Sequence, residues 1–300
     1  MANWNQISED LRTRGSTFDI IRKEALNKLH RYTKRNVIVY YSGWLQKNSN
    51  ELQQALSIND MDMNGFMTAI NGLDSTVGLD LILHTPGGEV AATEAIISYL
   101  QSKFQHIRVI VPQLAMSGGT MIACSAHEII MGKHSSLGPV DPQIGGVPAH
   151  GIVEEFDKAH KEIQADPSKL AVWQFVLQKY PPNFVGECQK AIDWSVKIIE
   201  RNLRDRMLRG KADIDSIVAR IKEELCNHAV SLSHSRHLPA DKCREIGLEV
   251  IYLEDDQKLQ DAVLTVHHAT MQTIFNTPAF KIIENHNGQA FILGTPQSHS

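Results

Sequence analysis

Two glycine pairs, each set at the end of an apolar run, constrain this chain more than any other feature. The first run, "LDLILH", stops at "TPGG" (Gly87, Gly88), and the second, "IRVIV", passes through "PQLAM" to "SGG" (Ser117, Gly118, Gly119). Both runs are short and aliphatic or β-branched, as buried strands are. Each is followed by a helical period, "EVAATEAIISYLQSKF" and "GGTMIACSA". "NVIVYYSGWL" ahead of them and "EIIMG" behind them read as further strands. Strands alternating with helices at these intervals predict crossovers and a largely parallel sheet. In such sheets ligands bind at the carboxyl ends of the strands, where both glycine pairs fall.

A serine at a strand-to-helix turn has two readings. As a cap, Ser117 accepts a hydrogen bond from its own helix. As a nucleophile it attacks a carbonyl, and the unpaired N–H groups of the helix start receive the oxyanion. Glycines at 87 and 88 would let a second backbone donor approach the same point. Either motif alone fits the cap reading, whereas their recurrence in this order favours the nucleophile.

Composition excludes several classes. Of 300 residues, 42% are hydrophobic and 21% charged, with a formal net charge of −4, neither a disordered nor a membrane profile. No basic stripe marks a nucleic-acid partner. The first 35 residues lack the apolar core of a signal peptide, and no run approaches the roughly 18–20 apolar residues of a membrane span. Cys124, Cys188, Cys226 and Cys243 form no CxxC pair and are expected to be free thiols. These features predict a cytoplasmic protein with no membrane contact.

After "SSLGPVDPQIGGVPAHG" the sequence turns helical, with helices expected over 151–165, 186–209 and 213–227. "ADKCREIGLEVIYLE" reads as a helix, a glycine turn and a strand, followed by a helix over 256–275 and a hairpin turning at Asn287-Gly288. Apolar positions at Phe18, Ile21, Ala25 and Leu29 suit an amphipathic helix near the start. The expected division is an N-terminal helical extension (1–35), a main α/β domain (36–255), and a C-terminal helix with a hairpin-like tail (256–300). "DMDMNG" imitates the start of a calcium loop, but the twelfth position is Asn71, not the required glutamate. No metal or organic cofactor is expected.

The stretches "LILHTPGGEVAATEAIISYL", "VIVPQLAMSGGTMIACSAHEIIMGKHSSLGPVDPQ" and "LPADKCREIGL" resemble the Clp/crotonase superfamily. The nearest likeness is to the serine dehydrogenase proteinase family, related to signal peptide peptidase A. That resemblance implies an α/β fold, a Clp/crotonase-like spiral of ββα units, here with additional C-terminal helices. It implies Ser117 as nucleophile, and the N–H groups of Gly118 and of Gly87 or Gly88 as the oxyanion hole. Where the Clp proteolytic subunit has its histidine this chain has Asp141, and near the expected aspartate it has "SHSRHL". The carboxylate and imidazole are therefore expected to have exchanged strands, giving Ser117, His234 and Asp141, with His237 as the reserve imidazole. A triad is defined by geometry and not by chain order. Signal peptide peptidases pair a serine with a lysine, which ungapped alignment sets at Lys169 as an alternative, buried base.

The resemblance implies a serine peptidase acting on peptide or protein substrates and a homo-oligomer. Two alternatives stand beside it. A crotonase-like acyl-thioester enzyme would rely on Asp141 or Glu89 and dispense with Ser117. A catalytically inactive oligomerising or peptide-binding module would explain the missing histidine.

Overall fold

The computed structural model describes residues 18–47, 52–227 and 236–295. Helix α1 (Phe18–Thr33) leads into β1 (Asn36–Ser42). Then come α2 (Asp62–Ile70), β2 (Leu79–His84), α3 (Val90–Lys103) and β3 (Ile107–Val111). The short β4 (Leu114–Ala115) enters α4 (Gly118–Cys124), which is followed by β5 (Glu128–Met131) and β6 (Ser136–Leu137). A small hairpin, β7 (Gln143–Ile144) and β8 (Val147–Pro148), opens the helical part: α5 (Ala149–Ala165), α6 (Leu170–Leu177), α7 (Phe184–Asn202) and α8 (Ile214–Cys226). The chain closes with β9 (Leu238–Pro239), α9 (Ala240–Glu245), β10 (Val250–Tyr252), α10 (Gln257–Asn276), β11 (Ala279–Asn285) and β12 (Ala290–Gly294).

The main sheet has seven strands in the order β10-β5-β3-β2-β1-β11-β12. The first five run parallel, and β11 and β12 are antiparallel. Alternation along the strands sends successive side chains to opposite faces. Ile38, Tyr40, Leu81, Leu83 and Val109 share one core with Phe66 of α2, Ile96 of α3 and Ile122 of α4. Val37, Val39, Tyr41, Ile82 and Ile110 share the other with Leu26 of α1 and Val263 of α10. Both faces are buried, which is why these strands read as continuous apolar runs.

The described parts of the segments assigned to terminal extensions, 18–35 and 256–295, are built into this core. Helices α1 and α10 cover one face, and β11 pairs with β1, setting Ile283 opposite Tyr40. Arg22 of α1, with no exposed surface, pairs with Glu284 of β11 and donates to Thr273 Oγ1 of α10 at 3.1 Å. The hairpin at Asn287-Gly288 is present, with Gly288 at φ +82°.

A second, three-stranded sheet, β4-β6-β9, stands at the carboxyl ends of the main strands. β4 follows β3 and leads straight into α4, β6 follows β5, and β9 precedes α9 and β10. Helix α6, after a 3₁₀ turn at Pro167–Lys169, was not expected, and the helix expected over 186–209 ends at Asn202 in a π turn, Leu203–Met207. All four cysteines are buried and free. No described helix is long and apolar enough to cross a membrane.

Candidate active site

Ser117 stands between β4 and α4 with φ +50° and ψ −112°, a region that non-glycine residues rarely occupy. Its side chain makes no capping bond to α4, so the cap reading does not describe its role here. Such backbone strain persists only where the surroundings fix it. Here Met116 N–H donates to Thr85 O at 3.0 Å, Gly119 N–H to Met116 O at 2.7 Å, and Met121 N–H to Ser117 O at 3.1 Å. Together they hold the serine half-buried at the carboxyl edge of the sheet.

The glycines around it leave no room for a side chain. A Cβ on Gly87, itself at φ +92°, would lie 2.6 Å from Ser117 Cβ, and one on Gly119 would lie 2.6 Å from Thr85 Cγ2. A Cβ on Gly118 would meet Thr93 Oγ1 at 2.7 Å and stand 3.4 Å from Gly88 N. The two turns that the sequence separates by 30 positions are therefore in contact.

Their N–H groups are not equivalent. Gly87 N–H donates to Thr85 Oγ1 at 3.2 Å, and Glu89 N–H to Ile58 O at 2.9 Å. The N–H groups of Gly88 and Gly118 donate to no acceptor among the described residues. A cleft of about 900 Å³ opens over this point, bounded by Ser117, Gly88, Val140, Pro142, Gly146 and Trp194.

Asp141 is buried between two of these lining residues. Thr120 of α4 anchors its loop, accepting from Gly138 N–H at 3.0 Å and donating towards Gly138 O at 2.8 Å, while Val140 N–H donates to Leu225 O at 2.7 Å. Burial, with the Asp141 charge adding to it and Lys222 opposing, pushes the Cys226 thiol up to about 12, so this thiol stays protonated at neutral pH.

His234 lies outside the described residues. His237 is exposed just ahead of β9, and β9 pairs antiparallel with β6, the strand that leads to Asp141. Lys169 is not the buried lysine expected of a base: it is half-exposed, with Nζ 3.3 Å from Glu162 Oε2, and it does not line the cleft. His84 is packed against Trp44, with ring centroids 4.3 Å apart, and does not line the cleft either.

Sequence reasoning missed two parts of this site. The β7–β8 hairpin and Ala191, Trp194 and Ser195 of α7 also line the cleft. An amphipathic helix signals a buried face but not what that face covers.

Three comparisons bear on this geometry. Residues 18–252 match the model of a family described as ClpP-like SDH-type serine proteinase. An uncharacterized protein of Methanocaldococcus jannaschii is 32% identical over 191 residues, covering 63% of this chain and 57% of that protein. A second uncharacterized protein of the same organism is 44% identical over 120 residues, covering 38% of this chain and 42% of its own length. The chain thus matches about half the length of these relatives. Among solved structures, a mutant of a membrane-bound stomatin-specific protease is similar over 69% of this chain and 79% of its own, at 18% identity and a TM-score of 0.40, too slight a likeness to carry an argument.

Proposed function

The chain belongs to the ClpP-like SDH-type serine proteinase family, and from that premise we propose that it hydrolyses peptide bonds through an acyl-enzyme on Ser117. The observation that carries this reading is the pair of N–H groups, Gly88 and Gly118, left without acceptors among the described residues beside a serine held at positive φ. Ser117 Oγ attacks the carbonyl carbon, its proton passes to an imidazole, and the carbonyl π pair moves onto oxygen. The two N–H groups donate to that oxyanion, which forms only on the way to the intermediate. Collapse breaks the C–N bond, the amine leaves with the imidazole's proton, and water then hydrolyses the ester by the same route.

The choice between Gly87 and Gly88 falls on Gly88, because Thr85 Oγ1 already takes the Gly87 proton. The base is assigned to His234, with His237 in reserve and Asp141 as the carboxylate that orients the ring. The antiparallel pairing of β6 and β9 supports this, since it runs the chain towards Asp141 beside the chain entering β9. Lys169 receives no part, because it is half-exposed, pairs with Glu162 and does not line the cleft. The substrate is a peptide or protein segment, and the setting is a cytoplasmic homo-oligomer. Val172 and Phe175, three positions apart and exposed on one face of α6, supply an apolar patch for contact between copies.

Labelling with a fluorophosphonate probe tests the reading. Wild type and Lys169→Ala should react, while Ser117→Ala and His234→Ala lose reactivity by at least ~10³-fold. Labelling of Ser117→Ala at the wild-type rate would sink the nucleophile assignment. A reactive His234→Ala with a silent His237→Ala would move the base to His237.

A further inference from the structure

The Gly87–Gly88 turn rests on a second turn, Ser57–Asn59, through an isolated parallel bridge between Ile58 and Gly88. Ile58 N–H donates to Gly87 O at 2.7 Å, and Ile58 O accepts from Glu89 N–H at 2.9 Å. The approach is so close that a Cβ on Gly88 would fall 2.3 Å from both the N and the O of Ile58. Whatever fixes Ile58 therefore fixes the plane of the Gly88 peptide.

Ile58 is held on both sides by one buried network. Lys281 of β11, fully enclosed, donates to Asp62 at 2.8 and 3.0 Å and to Ser57 O at 2.8 Å, so each ammonium proton has an acceptor. Asp62 Oδ2 also accepts from Tyr40 O–H at 2.7 Å and from Asn59 N–H at 3.1 Å. The two residues flanking Ile58 are thus tied to one ion pair. Stability alone does not account for the pair, because an apolar pair of similar volume is often as stable in a core. Its distinguishing feature is where the remaining bonds go: to the backbone of the turn under Gly88.

We propose that Lys281, Asp62 and Tyr40 are positioning residues for the oxyanion site, holding the Gly88 N–H at the angle needed to meet charge on the substrate oxygen. This inference rests on the reading of Ser117 as a nucleophile. None of the three lines the cleft, so they act through Ile58 and touch no substrate. Lys281 and the β11 strand that carries it lie beyond residues 18–252, the span of the family match. The calcium-like "DMDMNG" stretch finds its place here, with Asp62 holding an ammonium group.

The test is a Lys281→Met/Asp62→Leu double variant, which removes both charges together and leaves no unpaired ion. Its unfolding midpoint is compared with Val263→Ala, a cavity variant in the opposite core. The double variant should lose roughly 10- to 100-fold in fluorophosphonate labelling rate and in kcat, with KM little changed. Val263→Ala, matched in stability, should label at the wild-type rate. Hydrogen exchange should speed up at the amides of Ile58 and Glu89 and stay slow within β1 and β2. Wild-type labelling by the double variant, or an equal loss in Val263→Ala, overturns the proposal. So does unchanged exchange at Ile58 and Glu89. If the wild type itself does not label, the peptidase reading fails, and the exchange result still decides whether the network fixes the turn.

Discussion

Strand β11 carries two fully buried charges three positions apart, Lys281 and Glu284, and they face opposite cores. Glu284 meets Arg22, whose other bonds go to side chains of Thr273 and Asp19. That cluster ties two helices to a strand and stops there. Lys281 and Asp62 instead spend their bonds on the backbone of a turn under the reacting edge. Burial pushes the Glu284 carboxyl up and the Lys281 ammonium down, each against its partner's pull, so both sites carry a desolvation cost. What separates them is the acceptor. A buried charge bonded to helices and strands holds the fold, and one bonded to a functional turn sets an angle.

The strongest way to break this comparison is at Arg22. Arg22→Met leaves the Glu284 carboxylate without its cation and should cost about 3–5 kcal/mol in urea unfolding. Labelling of Ser117 in the folded fraction should stay within about twofold of wild type, unlike the Lys281/Asp62 variant. A labelling loss as large as that variant's would erase the distinction between the two clusters.

A smaller effect sharpens it through pH. His84, on the same face as Glu284, is pulled down to about 3 by burial, and His267 is lowered well below its ordinary value for the same reason. A depressed histidine contributes stability above its unfolded value of about 6.5 and loses it as pH falls towards the folded value. Unfolding free energy should therefore drop below pH ~6.5, by up to about 1.4 kcal/mol per pH unit for each such histidine. His84→Phe should flatten that slope, and an unchanged slope would count against the assignment. The smallest effect on stability belongs to α6, outside both cores. Val172→Glu/Phe175→Glu should alter neither unfolding nor intrinsic labelling and should lower the solution mass seen by light scattering. An unchanged mass would remove α6 from the proposed contact.

The sheet was legible because strands buried on both faces write themselves as apolar runs, and "LDLILH" and "IRVIV" did so. Ser117 and its glycines were legible because close backbone approach admits no other residue. The choice of Gly88 over Gly87 was not, since it turns on one side-chain bond from Thr85. Nor was the Lys281–Asp62 pair, whose members stand 219 positions apart in segments that resemble a metal-loop start and a terminal hairpin. Strands of two residues, β4, β6 and β9, carry too short a pattern to announce themselves, although they gather the site.

The place of β11 in the chain has a consequence for synthesis. Translation delivers Ser117, both glycine turns and the cleft walls well before Lys281. Until β11 pairs with β1, the Ser57–Asn59 turn lacks its ammonium anchor, and Asp62 has no counter-ion. A growing chain would thus carry a complete set of reactive groups in an unset geometry. On the proposed role of Lys281, the oxyanion site is therefore set only after the last strands of the sheet have been made and paired.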